Sequence, residues 1–278
     1  MTDLNQEFVS MEILSSNQYD LVTNLMSLTV AAMGAAALFF FLSRSQVAPK
    51  LRPALTISGL VVAIACYHYF RIYESFTAAY LFADGAYQPS GKPFNDAYRY
   101  ADWLLTVPLL VIELVAVLAL AKPMARSLTV RLAAAALLMI ALGYPGEVSS
   151  DTTIRWAFWG AAMVPWVYIM YILYGQFGEA IQRQPASVQP LVSKARLLVL
   201  VTWAFYPVAY LGPELGLAGA QAETFVQVGY TIADITAKVG LGVYIYFIAR
   251  EKTEAEGFDL SSGSEGGTGS NEKLRAAA

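Results

Sequence analysis

Residues 94–121 read FNDAYRYADWLLTVPLLVIELVAVLALA. From Trp103 onward the stretch is apolar except for Thr106 and Glu113. A bilayer core of about 30 Å is crossed by roughly 20 apolar residues in a helix, so this segment is long enough to span. Six more segments read the same way, at about 19–43, 53–81, 125–146, 152–180, 192–213 and 222–250. The composition agrees: 57% of the 278 residues are hydrophobic and 14% charged, and the mean hydropathy is +0.49. Soluble domains carry about 25% charged residues. The expected fold is an all-α membrane protein of seven transmembrane helices. The connection from Ala83 to Pro93 contains Asp84-Gly85 and Pro89-Ser90-Gly91, which is turn chemistry, so a short β-hairpin is expected between helices 2 and 3. The domain reading is an extracellular segment over 1–18, a seven-helix unit over 19–252, and a Gly/Ser/Glu-rich, disordered cytoplasmic tail over 253–278.

Several classes fall away. One cysteine, Cys66, excludes a disulfide framework within the chain, and one histidine, His68, excludes a multi-histidine metal cluster. No metal site is expected. Nothing resembles a basic stripe for nucleic acid. Residues 1–18 contain no Lys or Arg, so the positive region of a secretory signal is missing and the first span is expected to insert by itself. Basic residues gather in alternate connections: Arg44, Lys50 and Arg52; Lys122, Arg126 and Arg131; Arg183, Lys194 and Arg196; Arg250 and Lys252. The opposite side has little beyond Lys92 and Arg155. The positive-inside bias puts the N-terminus outside and the C-terminus in the cytoplasm of a multi-pass cell-membrane protein.

A charge inside a spanning helix costs about 2.5–3.5 kcal/mol on insertion scales, so each one needs a reason. Span 2 carries His68 and Arg71. Span 3 carries Arg99, Asp102 and Glu113, and span 7 carries Asp234 and Lys238. At 100° per residue, Asp102 and Glu113 lie roughly 20° apart around the axis, and about 16 Å apart along it. Thr106 shares their stripe and Arg99 lies one turn further out. The stripe reads as a proton relay or as a structural ion-pair network. Asp234 and Lys238, at i and i+4, share a face. They read as a salt bridge, or as a buried amine able to condense with an aldehyde. Aromatic residues near them (Tyr100, Trp103, Trp159, Trp166, Trp203, Tyr206 and Tyr210) would suit a flat conjugated ligand, though singly each reads as packing.

Arg99-Tyr100-Ala101-Asp102-Trp103-Leu104-Leu105-Thr106, with Glu113 beyond, resembles the third helix of microbial (type 1) rhodopsins. Trp203-Ala204-Phe205-Tyr206-Pro207 resembles their sixth helix, and Asp234-Ile235-Thr236-Ala237-Lys238 their seventh. Tyr67–Ile72, Phe94–Tyr98 and Gly143–Glu147 look like the xanthorhodopsin branch of the proteorhodopsin-like light-driven proton pumps. The resemblance implies all-trans retinal bound covalently to Lys238 as a Schiff base. It implies Asp102 as counterion and primary acceptor, Asp234 as second counterion and Glu113 as cytoplasmic donor. Thr106 would complete an Asp–Thr–Glu motif, His68 would hydrogen-bond to Asp102, and Arg99 would gate the outward path. Tyr100, Trp103, Leu110, Met139, Gly143, Trp159, Trp203, Tyr206, Pro207 and Tyr210 would line the pocket, with Leu110 matching a position that goes with green absorption. The partners implied are protons and the lipid bilayer, with a homo-oligomer, trimer or pentamer, common in the family. Glu147 and Glu214 are candidates for the release group.

One residue departs from the branch. Xanthorhodopsin admits a carotenoid antenna through an opening left by a glycine in helix 5, and ungapped counting puts Trp159 at that position, with Gly160 one residue off. No antenna is expected. The rival to an outward proton pump is a sensory photoreceptor rhodopsin signalling to a membrane partner; sensors commonly lack a carboxylic donor such as Glu113. Pumping of chloride or sodium fits the residues less well, a retinal-free receptor or transporter is a further reading, and nothing suggests an enzyme.

Overall fold

The computed structural model describes residues 11–259 and 264–265. Among these are seven helices long and apolar enough to cross a membrane: α1 (Ser16–Gln46), α2 (Pro49–Ala79), α3 (Ala97–Leu118), α4 (Lys122–Glu147), α5 (Thr152–Gln182), α6 (Gln189–Tyr210) and α7 (Gly219–Ala255). Local chemistry sets their ends. Ser15 and Gln18 form a capping box ahead of α1, and Asp151 Oδ1 accepts the Ile154 N–H at 2.9 Å ahead of α5. α3 stops where Ala119 turns left-handed, with φ +49°. Pro123, at the start of α4, has no N–H to lose there.

The expected hairpin is present: β1 (Tyr80–Ala83) pairs antiparallel with β2 (Ala86–Pro89). Its two-residue turn, Asp84-Gly85, has positive φ at both positions (51° and 81°), which is what a type I′ turn demands. Leu14 joins the ribbon through paired bonds to Tyr87 (2.9 and 2.8 Å), and Tyr19 stacks on the Tyr87 ring. The segment ahead of α1 is thereby tied to the hairpin.

Helices adjacent in sequence pack side by side, and α7 closes the ring against α1 while also touching α2 and α3. Gly242 permits that closure, since a Cβ there would lie 2.5 Å from the Phe40 ring. Leu38, Val164, Val201 and Val208 are exposed on the outside of the bundle, as helices facing lipid require. Buried polar groups collect inside, mostly between α2, α3 and α7.

Two features depart from the sequence reading. Single π-turns interrupt α5 at Ile172–Gln176 and α7 at Thr236–Gly240; the second holds Lys238. And α7 runs to Ala255, past the expected tail boundary at 253. Thr253 is buried, accepting the Ala48 N–H at 3.0 Å and donating to Ala249 O at 2.7 Å. Phe258–Asp259 then pairs with Ser264–Glu265. The start of the expected disordered tail is therefore structured, because its first residues complete a helix. Residues 260–263 and 266–278 of that tail, and 1–10 of the N-terminal segment, lie outside the described residues.

Candidate functional site

Lys238 lies at the centre of the ring, 2% exposed. Its Nζ is 2.5 Å from Asp102 Oδ2 and 3.0 Å from Asp234 Oδ1. The π-turn widens α7 at this point, a distortion that recurs at functional sites. Arg99, also buried, supplies the second cation. Lys238 pairs with both carboxylates, and Arg99 reaches Asp234 through the Tyr69 hydroxyl. Breaking one buried pair costs about 3–5 kcal/mol because the other partner is stranded.

The two carboxylates are held differently. Asp234 accepts Tyr69 Oη on Oδ2 at 2.8 Å and Tyr206 Oη on Oδ1 at 2.6 Å, and Trp103 Nε1 reaches both oxygens at 3.2 and 3.4 Å. Asp102 is fully buried, yet its Oδ1 has no hydrogen-bond partner. Toward the hairpin end, Arg99 spreads its donors over Tyr69 Oη (3.1 Å), Gln227 Oε1 (2.5 Å) and Asp96 Oδ1 (2.7 Å).

An apolar cavity starts at Lys238 and runs toward α5. All ten pocket residues expected from sequence line it: Tyr100, Trp103 and Leu110 on α3, Met139 and Gly143 on α4, Trp159 on α5, and Trp203, Tyr206, Pro207 and Tyr210 on α6. Trp159 is fixed there by its Nε1–H, which donates to Pro207 O at 3.0 Å. At Gly143 a Cβ would meet the Tyr100 phenol at ordinary contact distances of 3.4–4.0 Å. The cavity also meets residues the sequence reading left out of the pocket, including Val107, Ala162, Trp166 and Tyr230. A flat, aromatic-walled slot with an amine at one end fits a conjugated aldehyde.

Glu113 lies further along α3 toward the basic end, fully buried. Ser58 Oγ is 2.7 Å from its Oε2, and Oε1 has no partner. Ser58 Oγ also lies 3.2 Å from Ala54 O. A hydroxyl has one proton for these two acceptors. If it goes to Ala54 O, the Glu113 contact needs a protonated carboxyl as donor.

One expected contact takes another form. His68 Nδ1 is 3.8 Å from Asp102 Oδ1, beyond hydrogen-bond reach, and it pairs instead with Ile64 O at 3.1 Å, one turn back on its own helix. Thr106 Oγ1 donates to the backbone carbonyl of Asp102 at 2.9 Å, not to its carboxylate. Of the two release candidates, Glu214 is held by Arg155 and Thr152 at 3.4 Å each, while Glu147 accepts from Tyr100 and Tyr230 beside the cavity.

Tyr69, Gln227 and Ser58 were not anticipated as site residues. Gln227 had a signal, standing seven residues before Asp234 and so on nearly the same face. Ser58 and His68 are ten apart, as Asp102 and Glu113 are eleven apart on the neighbouring antiparallel helix. Depth matching would have set Ser58 opposite Glu113.

The family model for bacteriorhodopsin-like proteins matches residues 20–252. The chain is 34% identical over 224 residues to the blue-light absorbing proteorhodopsin of Gamma-proteobacterium Hot 75m4, covering 80% of this chain and 83% of that protein. It superposes on the crystallographic structure of xanthorhodopsin, a light-driven ion pump with dual chromophore, with a TM-score of 0.87 and 50% identity, covering 90% of this chain and all of that one. Thermophilic rhodopsin gives a TM-score of 0.87 at 46% identity, over 89% of this chain and all of that one. A seven-helix ring with a lysine buried between two aspartates at the mouth of an aromatic slot, and similarity of this extent, have one reading: the chain belongs to the bacteriorhodopsin-like family of type 1 rhodopsins.

Proposed function

We propose that this protein is a light-driven pump that moves protons outward across the cell membrane, with Asp102 accepting the proton and Glu113 supplying its replacement. One observation carries the reading: α3 presents two buried carboxyl groups on one stripe, the first 2.5 Å from Lys238 Nζ and the second some three turns nearer the basic end. Retinal, joined through its aldehyde carbon to Lys238 Nζ with loss of water, supplies visible absorption and a light-driven change of shape at that nitrogen. Lys238 holds it, and Tyr100, Trp103, Trp203 and Tyr206 are placed to flank it.

The residues divide the work by their hydrogen bonds. Both oxygens of Asp234 already accept from neighbouring donors, so its charge is stabilised where it is. Asp102 has a bare oxygen and the shorter contact to Nζ, which suits a group that takes a proton and later gives it up. Glu113, whose one hydrogen-bond partner among the described residues is Ser58, suits a neutral acid that waits. The basic connections favour the cytoplasm for the Glu113 end, so a proton passing from Glu113 to Lys238 to Asp102 travels outward.

Trp159 argues against a second pigment. Its indole walls the cavity and is pinned to Pro207 O. Gly160 is at the surface with open space above it, away from the cavity lining. Adding a hydroxy- or keto-carotenoid to the retinal-bound protein should give no carotenoid band in the excitation spectrum, whereas Trp159→Gly should allow one. A band in the wild type sinks this part of the reading.

Illumination of cells or vesicles with a pH electrode tests the whole. External acidification that a protonophore abolishes supports export. A slow photocycle without pH change favours a sensory photoreceptor. Lys238→Ala should lose the visible band, and an unchanged spectrum would overturn the assignment of the linkage.

A further inference from the structure

The hairpin end of the bundle holds more carboxyl groups than the two facing Lys238. Glu223, on α7, accepts Gln227 Nε2–H on Oε1 at 3.2 Å. The Gln227 carbonyl oxygen accepts from Arg99 Nη2, and Arg99 Nη1 donates to Tyr69, whose hydroxyl reaches Asp234. A hydrogen-bonded chain therefore joins Asp234 to Glu223, and Asp102 meets its inner end through Lys238, which pairs with both carboxylates. Asp96, bonded to Arg99 Nε, and Glu12, from the segment ahead of α1, both act electrostatically on Glu223. Asp96 binds the Arg99 guanidinium directly, and Glu223 meets it through Gln227.

A second observation points into this cluster. Tyr80, on β1, is 6% exposed, and among the described residues its buried hydroxyl has no hydrogen-bond partner. The charges acting on that hydroxyl are those of Glu223 and Glu12, and burial pushes the phenol above its ordinary range, so it keeps its proton. A buried donor left unpaired is uncommon and asks for an explanation. Here the carboxylates that act on it are ones whose proton occupancy must change if protons leave this way.

The two carboxyls that the sequence offered for release are engaged elsewhere. Both oxygens of Glu147 are taken by tyrosine hydroxyls, and Glu214 is bound to Arg155 and Thr152 with no link to Arg99. Glu223 is half-buried and joined to the chain.

We infer that Glu223 is the carboxyl group through which the exported proton leaves the protein, an assignment that rests on the pump reading. An O–H bond breaks at Asp102 and one forms at Glu223. Glu223 then passes that proton to water outside, and both end the cycle as carboxylates. Arg99, which keeps its charge throughout, and Gln227 are positioning residues.

The test uses the full-length, retinal-bound protein in liposomes, a single flash, and a membrane-impermeant pH dye on the release side. Glu223→Gln should delay the appearance of the proton at least tenfold, leaving the visible maximum and the protonation rate of Asp102 as in the wild type. Glu223→Asp should restore most of the speed, and Glu214→Gln should change nothing. A carboxyl C=O infrared difference band should vanish in Glu223→Gln. Unchanged release together with an unchanged infrared difference spectrum overturns the assignment. If Glu223→Gln does not fold, Gln227→Leu, which cuts the chain and leaves the carboxyl, should give the same delay, and release at the wild-type rate overturns it too. A wild type with no proton signal refutes the pump reading itself, and this assignment with it.

Discussion

The two halves of α3 treat a carboxyl group in opposite ways. Asp102 shares Lys238 with Asp234, which two tyrosines and an indole bond in turn, and the Arg99 guanidinium lies one tyrosine away. Around Glu113 there is one serine hydroxyl, and the neighbouring turns of α3 bury Leu110, Val111, Leu114, Val115 and Val117. An uncompensated ion is costly in such surroundings, whereas a compensated one is tolerated. Environment, more than residue type, gives the two acids different tasks. On the proposed reading the first is the charged acid in the dark and the second the neutral one.

The sharpest way to break the comparison is to remove the compensated acid. Asp102→Asn takes away the anion nearest Nζ, and light-driven acidification should fall by at least roughly 10², the scale of a lost proton-transfer group. Transport at near wild-type rates would mean that Asp234 accepts the proton despite its filled hydrogen bonds. Glu113→Gln keeps the shape and removes the exchangeable proton. Its photocycle should stall at reprotonation, slowed by about 10²-fold, with the Asp102 step intact. A small permeant weak acid should restore much of the lost speed, and failure to do so would place the block elsewhere.

How far these halves could be read from sequence follows the same division. Asp102, Glu113, Asp234 and Lys238 stand out because each is a charge within an apolar run, and helical spacing alone puts them on shared faces. The seven spans are legible for the same reason, with ends within a few residues, the α7 terminus excepted. The aromatic wall of the cavity was partly legible in the aromatics near Lys238, whereas Leu110, Met139 and Gly143 came through the resemblance. What stayed hidden depends on rotamers and on contacts between helices. His68 has the right depth to meet Asp102, but its Nδ1 finds a carbonyl on its own helix first. The π-turn at Lys238 leaves no mark in composition. Tyr69 and Tyr206 look like any aromatic residues in a membrane helix until both reach Asp234.

Ser58→Ala sharpens the comparison in the poorer half. When Glu113 gives up its proton, the carboxylate left behind has Ser58 Oγ at 2.7 Å as its one polar neighbour by hydrogen bond. Deleting that hydroxyl removes a bond worth about 1–1.5 kcal/mol. Donation should slow by roughly five- to tenfold, an effect well short of Glu113→Gln. Time-resolved absorbance of the late photocycle measures it. A rate equal to the wild type would mean that the Ser58 proton stays on Ala54 O throughout.

Thr106→Val should have the smallest effect, and it separates two views of the stripe between the halves. If the hydroxyl were a relay station between Asp102 and Glu113, valine would break the relay and transport would drop about as far as in Ser58→Ala. The hydroxyl instead donates at 2.9 Å to the Asp102 carbonyl, four residues back in the same helix. Threonine commonly makes this local bond, and losing it adds no buried donor without a partner. Valine keeps the branched shape and χ1 preference in a buried position. Transport and reprotonation should stay within about twofold of the wild type, which corresponds to less than about 0.5 kcal/mol. A drop of tenfold or more would show that the hydroxyl leaves the backbone during the cycle and serves the carboxyl groups on either side.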